Sequence, residues 1–69
     1  MGRDYTALVL KIRGKYFKLE GFAKDLGITV STLRNKLMGK NDWKREEIIK
    51  AAELLDLTPD EILFYFFNF

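Results

Sequence analysis

The sequence predicts an all-α domain of five short helices, and three observations predict it. No segment alternates apolar and polar residues with period two, the mark of a half-buried strand. Apolar residues recur instead at spacings of three and four. Gly27, Gly39 and Pro59 fall where the periodic runs break, at positions suited to ending or starting a helix.

The first helix is expected from near Asp4 to about Lys15, because Tyr5, Leu8, Ile12 and Tyr16 form an apolar stripe of helical period. The second reads Leu19 to Leu26, with Phe22, Ala23 and Leu26 on one face. Gly27 follows directly, where a left-handed residue carries no steric penalty only if it is Gly. Thr29 is placed to cap a third helix from Val30 to about Met38, and Gly39 closes it. Two short helices joined by three residues including a Gly must turn sharply against each other, which is a helix-turn-helix outline over about residues 19–38. The fourth helix runs from about Arg45 to Leu55, with Ile48, Ala51, Ala52 and Leu55 inward. Thr58-Pro59-Asp60-Glu61 supplies an N-cap, a Pro at the first helical position and a Glu that can complete a capping box. The last helix therefore starts at Pro59 and extends to about residue 67. Without a linker, repeat or low-complexity tract, residues 1–69 read as one domain.

Composition removes several function classes. The 69 residues include no Cys and no His, so disulfides, thiolate nucleophiles, Cys- or His-ligated metals and His-dependent hydrolysis are excluded. No cofactor or small-molecule ligand is expected. A chain this small has little room for a pocket of roughly 300 Å³ or more, and the carboxylates of Glu46, Glu47 and Glu53 read as surface charge. An enzyme is not expected. Hydrophobic residues at 48% and charged residues at 32% fit a globular domain rather than a disordered one. The longest apolar run, Ile62 to Phe67, is far short of the roughly 20 residues of a spanning helix. With no apolar stretch at the N-terminus to act as a secretory signal, the expected location is the cytoplasm.

The net charge of +2 conceals an asymmetry. Residues 1–45 carry 11 Lys/Arg against 4 Asp/Glu, a net +7, whereas residues 46–69 carry 1 against 6, a net −5. One half can meet a polyanion; the other cannot. In the third helix, Leu33 and Leu37 face inward while Ser31, Arg34 and Asn35 face out, with Thr32 and Lys36 at the flanks. Arg can read guanine and Asn can read adenine in the major groove. Val30 lies on the border and either finishes the core or reaches a thymine methyl. Lys36, Lys40, Lys44 and Arg45 gather around the end of this helix with Asn41, a group suited to phosphates.

The run F-A-K-D-L-G-I-T-V-S-T-L-R-N-K-L-M-G-K, Phe22 to Lys40, resembles the helix-turn-helix of the Cro/lambda-repressor (XRE) family, in particular small phage and prophage Cro-like regulators. The later run E-I-I-K-A-A-E-L-L-D-L-T-P-D-E-I resembles the fourth and fifth helices of that group. The resemblance implies a lambda-repressor-like DNA-binding domain whose third helix lies in the major groove. It implies Val30, Ser31, Arg34 and Asn35 as the base-facing set, and Thr29, Lys40, Lys44 and Arg45 as phosphate contacts or their neighbours. It also implies a bacterial cell or its nucleoid as the place of action. Three departures from the family pattern stand out: Lys18-Leu19 replaces Thr-Gln, which leaves Lys18 as the phosphate-seeking group there; Gly21 sits inside the second helix; and Met38 stands where Asn is usual.

The expected function is therefore a sequence-specific DNA-binding transcriptional regulator, a homodimer on a two-fold symmetric double-stranded operator. In the last helix Ile62, Leu63, Phe66 and Phe69 form a face suited to the core, while Phe64 and Phe67 lie on another side and are expected to make the dimer. The rival reading is a protein-interaction module of antitoxin or anti-repressor type, docking through the acidic, aromatic C-terminal portion. Membrane binding by the tail is disfavoured, since it lacks basic residues.

Overall fold

Local chemistry sets each helix boundary in the computed structural model, which describes residues 4–67. Those residues form α1 (Thr6–Lys15), α2 (Leu19–Leu26), α3 (Val30–Leu37), α4 (Arg45–Leu55) and α5 (Pro59–Phe67), with no strand among them. The all-α, five-helix expectation is met. α1 starts at Thr6 rather than Asp4, because the Asp4 carboxylate accepts the Thr6 N–H at 2.9 Å and so caps the helix from outside. Hydrogen bonds from Thr6 hold the Asp4 carboxyl below its ordinary value.

The α1 stripe packs as expected. Tyr5, Leu8 and Ile12 are buried, and Tyr16, just past the helix, lays its ring edge-on to Phe22 at 5.3 Å. The Tyr16 hydroxyl donates to Asp25 Oδ2 at 2.8 Å; burial, then Asp25, raises the phenol pKa. At the start of α5, Thr58 N–H donates to Glu61 Oε1 at 2.8 Å and Glu61 N–H to Thr58 Oγ1 at 3.3 Å, the reciprocal capping box. The chain turns from α4 into α5 through Asp56, a non-Gly residue at φ 55°.

α1 packs against each of the other four helices, α2 against α3 and α4, and α4 against α5. Phe22, Phe66, Leu8, Ile12, Leu33 and Leu55 lie deepest. Trp43, on the α3–α4 loop, reaches back to meet Phe66 edge-on at 5.0 Å and Tyr5 at 6.3 Å. That aromatic cluster ties the loop to both ends of the described chain. The radius of gyration, 10.8 Å, is what a single compact domain of this length should have. No helix among the described residues is long and apolar enough to cross a membrane.

One expectation about α5 changes. Ile62 and Phe66 do pack on the core, but Leu63 is 60% exposed. At about 100° per residue it lies a full quarter-turn from Ile62, on the side of Phe67, away from the core that Ile62 and Phe66 pack against. Phe69, expected on the core face, lies outside the described residues.

Candidate nucleic-acid interface

The turn between α2 and α3 is built by Gly27 at φ 88°, whose N–H donates to Ala23 O at 2.9 Å while Ile28 N–H reaches the same carbonyl at 3.0 Å. Ala23 is buried, and its methyl lets α3 approach α2 closely. Thr29 caps α3: its Oγ1 accepts from Thr32 N–H at 3.2 Å and its hydroxyl donates to Thr32 Oγ1 at 2.9 Å. The Thr29 hydroxyl is thus engaged within the cap, and an anion near it would meet chiefly the first N–H groups of α3, which have no partner inside the helix.

α3 shows the two faces expected of it. Leu33 is buried and Leu37 half-buried, while Ser31 and Arg34 are exposed and Asn35 half-buried. At about 100° per residue, Arg34, Ser31 and Asn35 span roughly a 100° arc centred away from Leu33. Val30 settles on the inner side of the border, partly buried against the core. Gly39, at φ 79°, ends the helix, and the Lys40 N–H folds back to Asn35 O at 2.9 Å. Lys40, Asn41, Lys44 and Arg45 are exposed along the loop and the start of α4. Lys18 is exposed at the N-cap of α2, ahead of a buried Leu19.

Lys36 overturns its expected role. It is 4% exposed, and its ammonium donates to Asp42 O at 2.9 Å and pairs with Glu47 Oε1 at 2.8 Å, 5.9 Å from the Trp43 ring centre. A cation enclosed in this way is not available to a phosphate. Glu47, expected as surface charge, also accepts the Lys44 N–H at 2.8 Å. Burial raises the Glu47 carboxyl, but the Lys36 and Lys44 contacts outweigh it and hold the group below its ordinary value. The sequence carried one hint. Lys36 lies only about 60° from Leu33 around the helix, nearer the core than Thr32.

Large apolar side chains also lie open on the molecule. Phe17, beside Lys18, is 90% exposed, and Met38 is exposed at the end of α3. On α5, Leu63, Phe64 (52%) and Phe67 (53%) share one side of the helix, spread over about 100°.

The profile of a family described as "Protein of unknown function (DUF739)" matches residues 1–69. No curated protein matches the chain. Among solved structures, the chain is similar to the solution structure of the modulator of repression (MOR) of the temperate bacteriophage TP901-1 from Lactococcus lactis. The TM-score is 0.80 at 41% identity, covering 99% of this chain and 92% of that one.

Proposed function

The chain belongs to the DUF739 family, and we propose that it is a small phage-type regulator of gene expression that reads DNA through α3. The regulatory part follows from its similarity, at 41% identity over nearly the whole chain, to a phage modulator of repression. The DNA part rests on the outward arc of Ser31, Arg34 and Asn35, on a helix held by its cap and by the turn at Gly27, with Lys40, Asn41, Lys44 and Arg45 beside it. In this reading the arc meets base edges, Val30 touches a thymine methyl at most from the side, and the loop cations, with Lys18, hold phosphates. Two copies bind a two-fold symmetric operator, joined through Phe64 and Phe67, and the place of action is the bacterial cytoplasm. Selection of bound sequences from a random DNA pool at low salt tests it. An enriched palindrome, with one position per half-site relaxed by Arg34→Ala, supports it; no enrichment overturns it.

A second reading has its own observation, the exposed Leu63, Phe64 and Phe67 of α5. Contiguous apolar surface on a small domain marks a protein contact. The carboxylates of Glu53, Asp56 and Asp60 come from the same acidic half of the chain, so a partner with a basic face would fit. A DNA-binding repressor has such a face, and regulation would then act through the repressor. Titration calorimetry against the purified repressor of the same phage separates the readings: binding abolished by Phe64→Glu, with no DNA selected, selects the second.

A further inference from the structure

Lys36 has no access to DNA, yet it sits under the loop that presents the cations. Its ammonium holds the loop at Asp42 O, 2.9 Å away, and holds Glu47 Oε1 at 2.8 Å. The same Glu47 oxygen takes the Lys44 N–H at 2.8 Å, fixing the loop again where α4 begins. Trp43, between these two anchors, is locked edge-on against Phe66. One enclosed ion pair thus fastens the loop on both sides of its aromatic plug, at Asp42 and at Lys44, directly after Lys40 and Asn41, whose N–H groups reach back to Asn35 O. The pair joins the end of α3 to the start of α4, so loop cations and α3 keep a fixed relation.

We propose that Lys36 and Glu47 are positioning residues for the phosphate-holding loop, setting where Lys40, Asn41 and Lys44 stand relative to the outward face of α3. The proposal rests on the DNA reading above. Cations held in register lose little freedom when phosphates arrive, whereas cations on a loose loop must be ordered at a cost to binding. Glu47→Gln is the informative variant, because bulk charge and positioning predict opposite outcomes. It removes a negative charge from the protein, so electrostatics alone would tighten binding to any duplex. Positioning predicts weaker binding, and a log K against log[salt] slope shallower by about 1 per copy, although no phosphate contact has been deleted.

The experiment uses the full chain and a random-sequence duplex at low salt, with amide hydrogen exchange of residues 40–44 read in parallel. The expected result for Glu47→Gln is faster exchange at the Lys44 amide, weaker duplex binding, and a smaller further loss on adding Lys40→Ala than Lys40→Ala causes in the parent. Lys36→Met with Glu47→Leu leaves net charge unchanged and strands no buried charge, so it serves if Glu47→Gln does not fold; the same changes are expected. Equal or tighter duplex binding by a folded variant overturns the proposal, as does unchanged exchange at residues 40–44. Faster exchange in the variant, with a parent chain that binds no duplex at all, overturns the DNA reading and leaves the loop as the structural element that the pair orders.

Discussion

At the scale of single residues, what a side chain can do depends on what already holds it. Arg34 is exposed on the outward arc of α3, and under the DNA reading a bidentate contact from it would contribute about 1–3 kcal/mol of discrimination at one base pair. Arg34→Ala should therefore relax one position of each half-site in a binding selection while leaving non-specific affinity nearly intact; equal losses on specific and random DNA would reduce Arg34 to a phosphate contact. Lys40, equally exposed, should show the reverse pattern, its Ala variant shallowing the salt slope of a two-copy complex by about 2 at all sequences. Lys36 and Glu47 obey a different rule, because their charges are enclosed. Removing one member of a fully buried pair costs about 3–5 kcal/mol; Glu47 keeps 15% of its side chain exposed, so Glu47→Gln should cost less than that and still unfold at lower denaturant than the parent at pH 7. The pH dependence has a definite sign. The folded carboxyl lies below its ordinary value of 4.5, so its contribution is complete above that pH and disappears as pH falls through the lowered folded value. The gap between parent and variant should close in acid; a gap that stays constant down to pH 2 would mean that Lys36 does not depend on a charged Glu47. The pairing was hard to read in the sequence for a local reason. A Lys and a Glu eleven residues apart carry no periodic signal, and Lys44 at the N-cap of α4 gives no sign that the Glu47 carboxylate reaches back to its N–H, half of an arrangement normally announced by Ser or Thr.

At the scale of elements, the boundaries of α2, α4 and α5 were legible because glycine, proline and capping residues act through neighbours a few positions away. The α1 start was less so, since Asp4 caps from outside the helix rather than entering it. The two glycines of the α2 region make opposite predictions from the same logic. Gly27 needs its left-handed φ of 88°, and although a Cβ there would meet nothing within 4 Å, the backbone itself resists. Gly27→Ala should cost about 1–2 kcal/mol. Gly21 lies within α2, where an added Cβ would meet only Tyr16 Cδ1, at an ordinary 3.4 Å. Gly21→Ala should stabilise by up to about 1 kcal/mol through helix propensity, raising Tm by several degrees in a domain of this size. Thermal unfolding of the two variants decides both. If Gly21→Ala destabilises instead, the Tyr16 ring, fixed by its bond to Asp25, is too rigid to receive a methyl. Both variants alter the unit that carries α3, so a change in DNA binding without a change in Tm would locate the effect in the geometry of the turn.

At the scale of the whole molecule, the question is what covers α5. Periodicity alone separated Phe64 and Phe67 from the core, but it grouped Leu63 with Ile62 because both belong to one unbroken apolar run. The difference emerges only from packing, since α5 turns Ile62, Tyr65 and Phe66 toward the core and leaves Leu63 outside it. Half of each Phe remains exposed, roughly 100 Å² apiece, so the three side chains offer about 300 Å² per copy where a standard interface uses about 800 Å² per partner. Burying four Phe in a two-copy contact would return about 10 kcal/mol gross at 25 cal/mol per Å², against an association cost of some 4–15 kcal/mol. Such a contact would be weak in free solution and, under the DNA reading, would tighten once two copies are held side by side on adjacent half-sites. Phe64→Glu with Phe67→Glu should therefore leave the fold intact, because neither ring is a core residue, and should keep binding to a single half-site. It should abolish the cooperative step on a paired site, read by sedimentation of the protein–DNA complex. A parent chain that remains monomeric and fills paired half-sites independently would exclude a second copy from this face. The apolar side of α5, set in the acidic half of the chain, would then be left for a partner protein with a basic surface, and the double variant should lose that partner while keeping every contact made by α3.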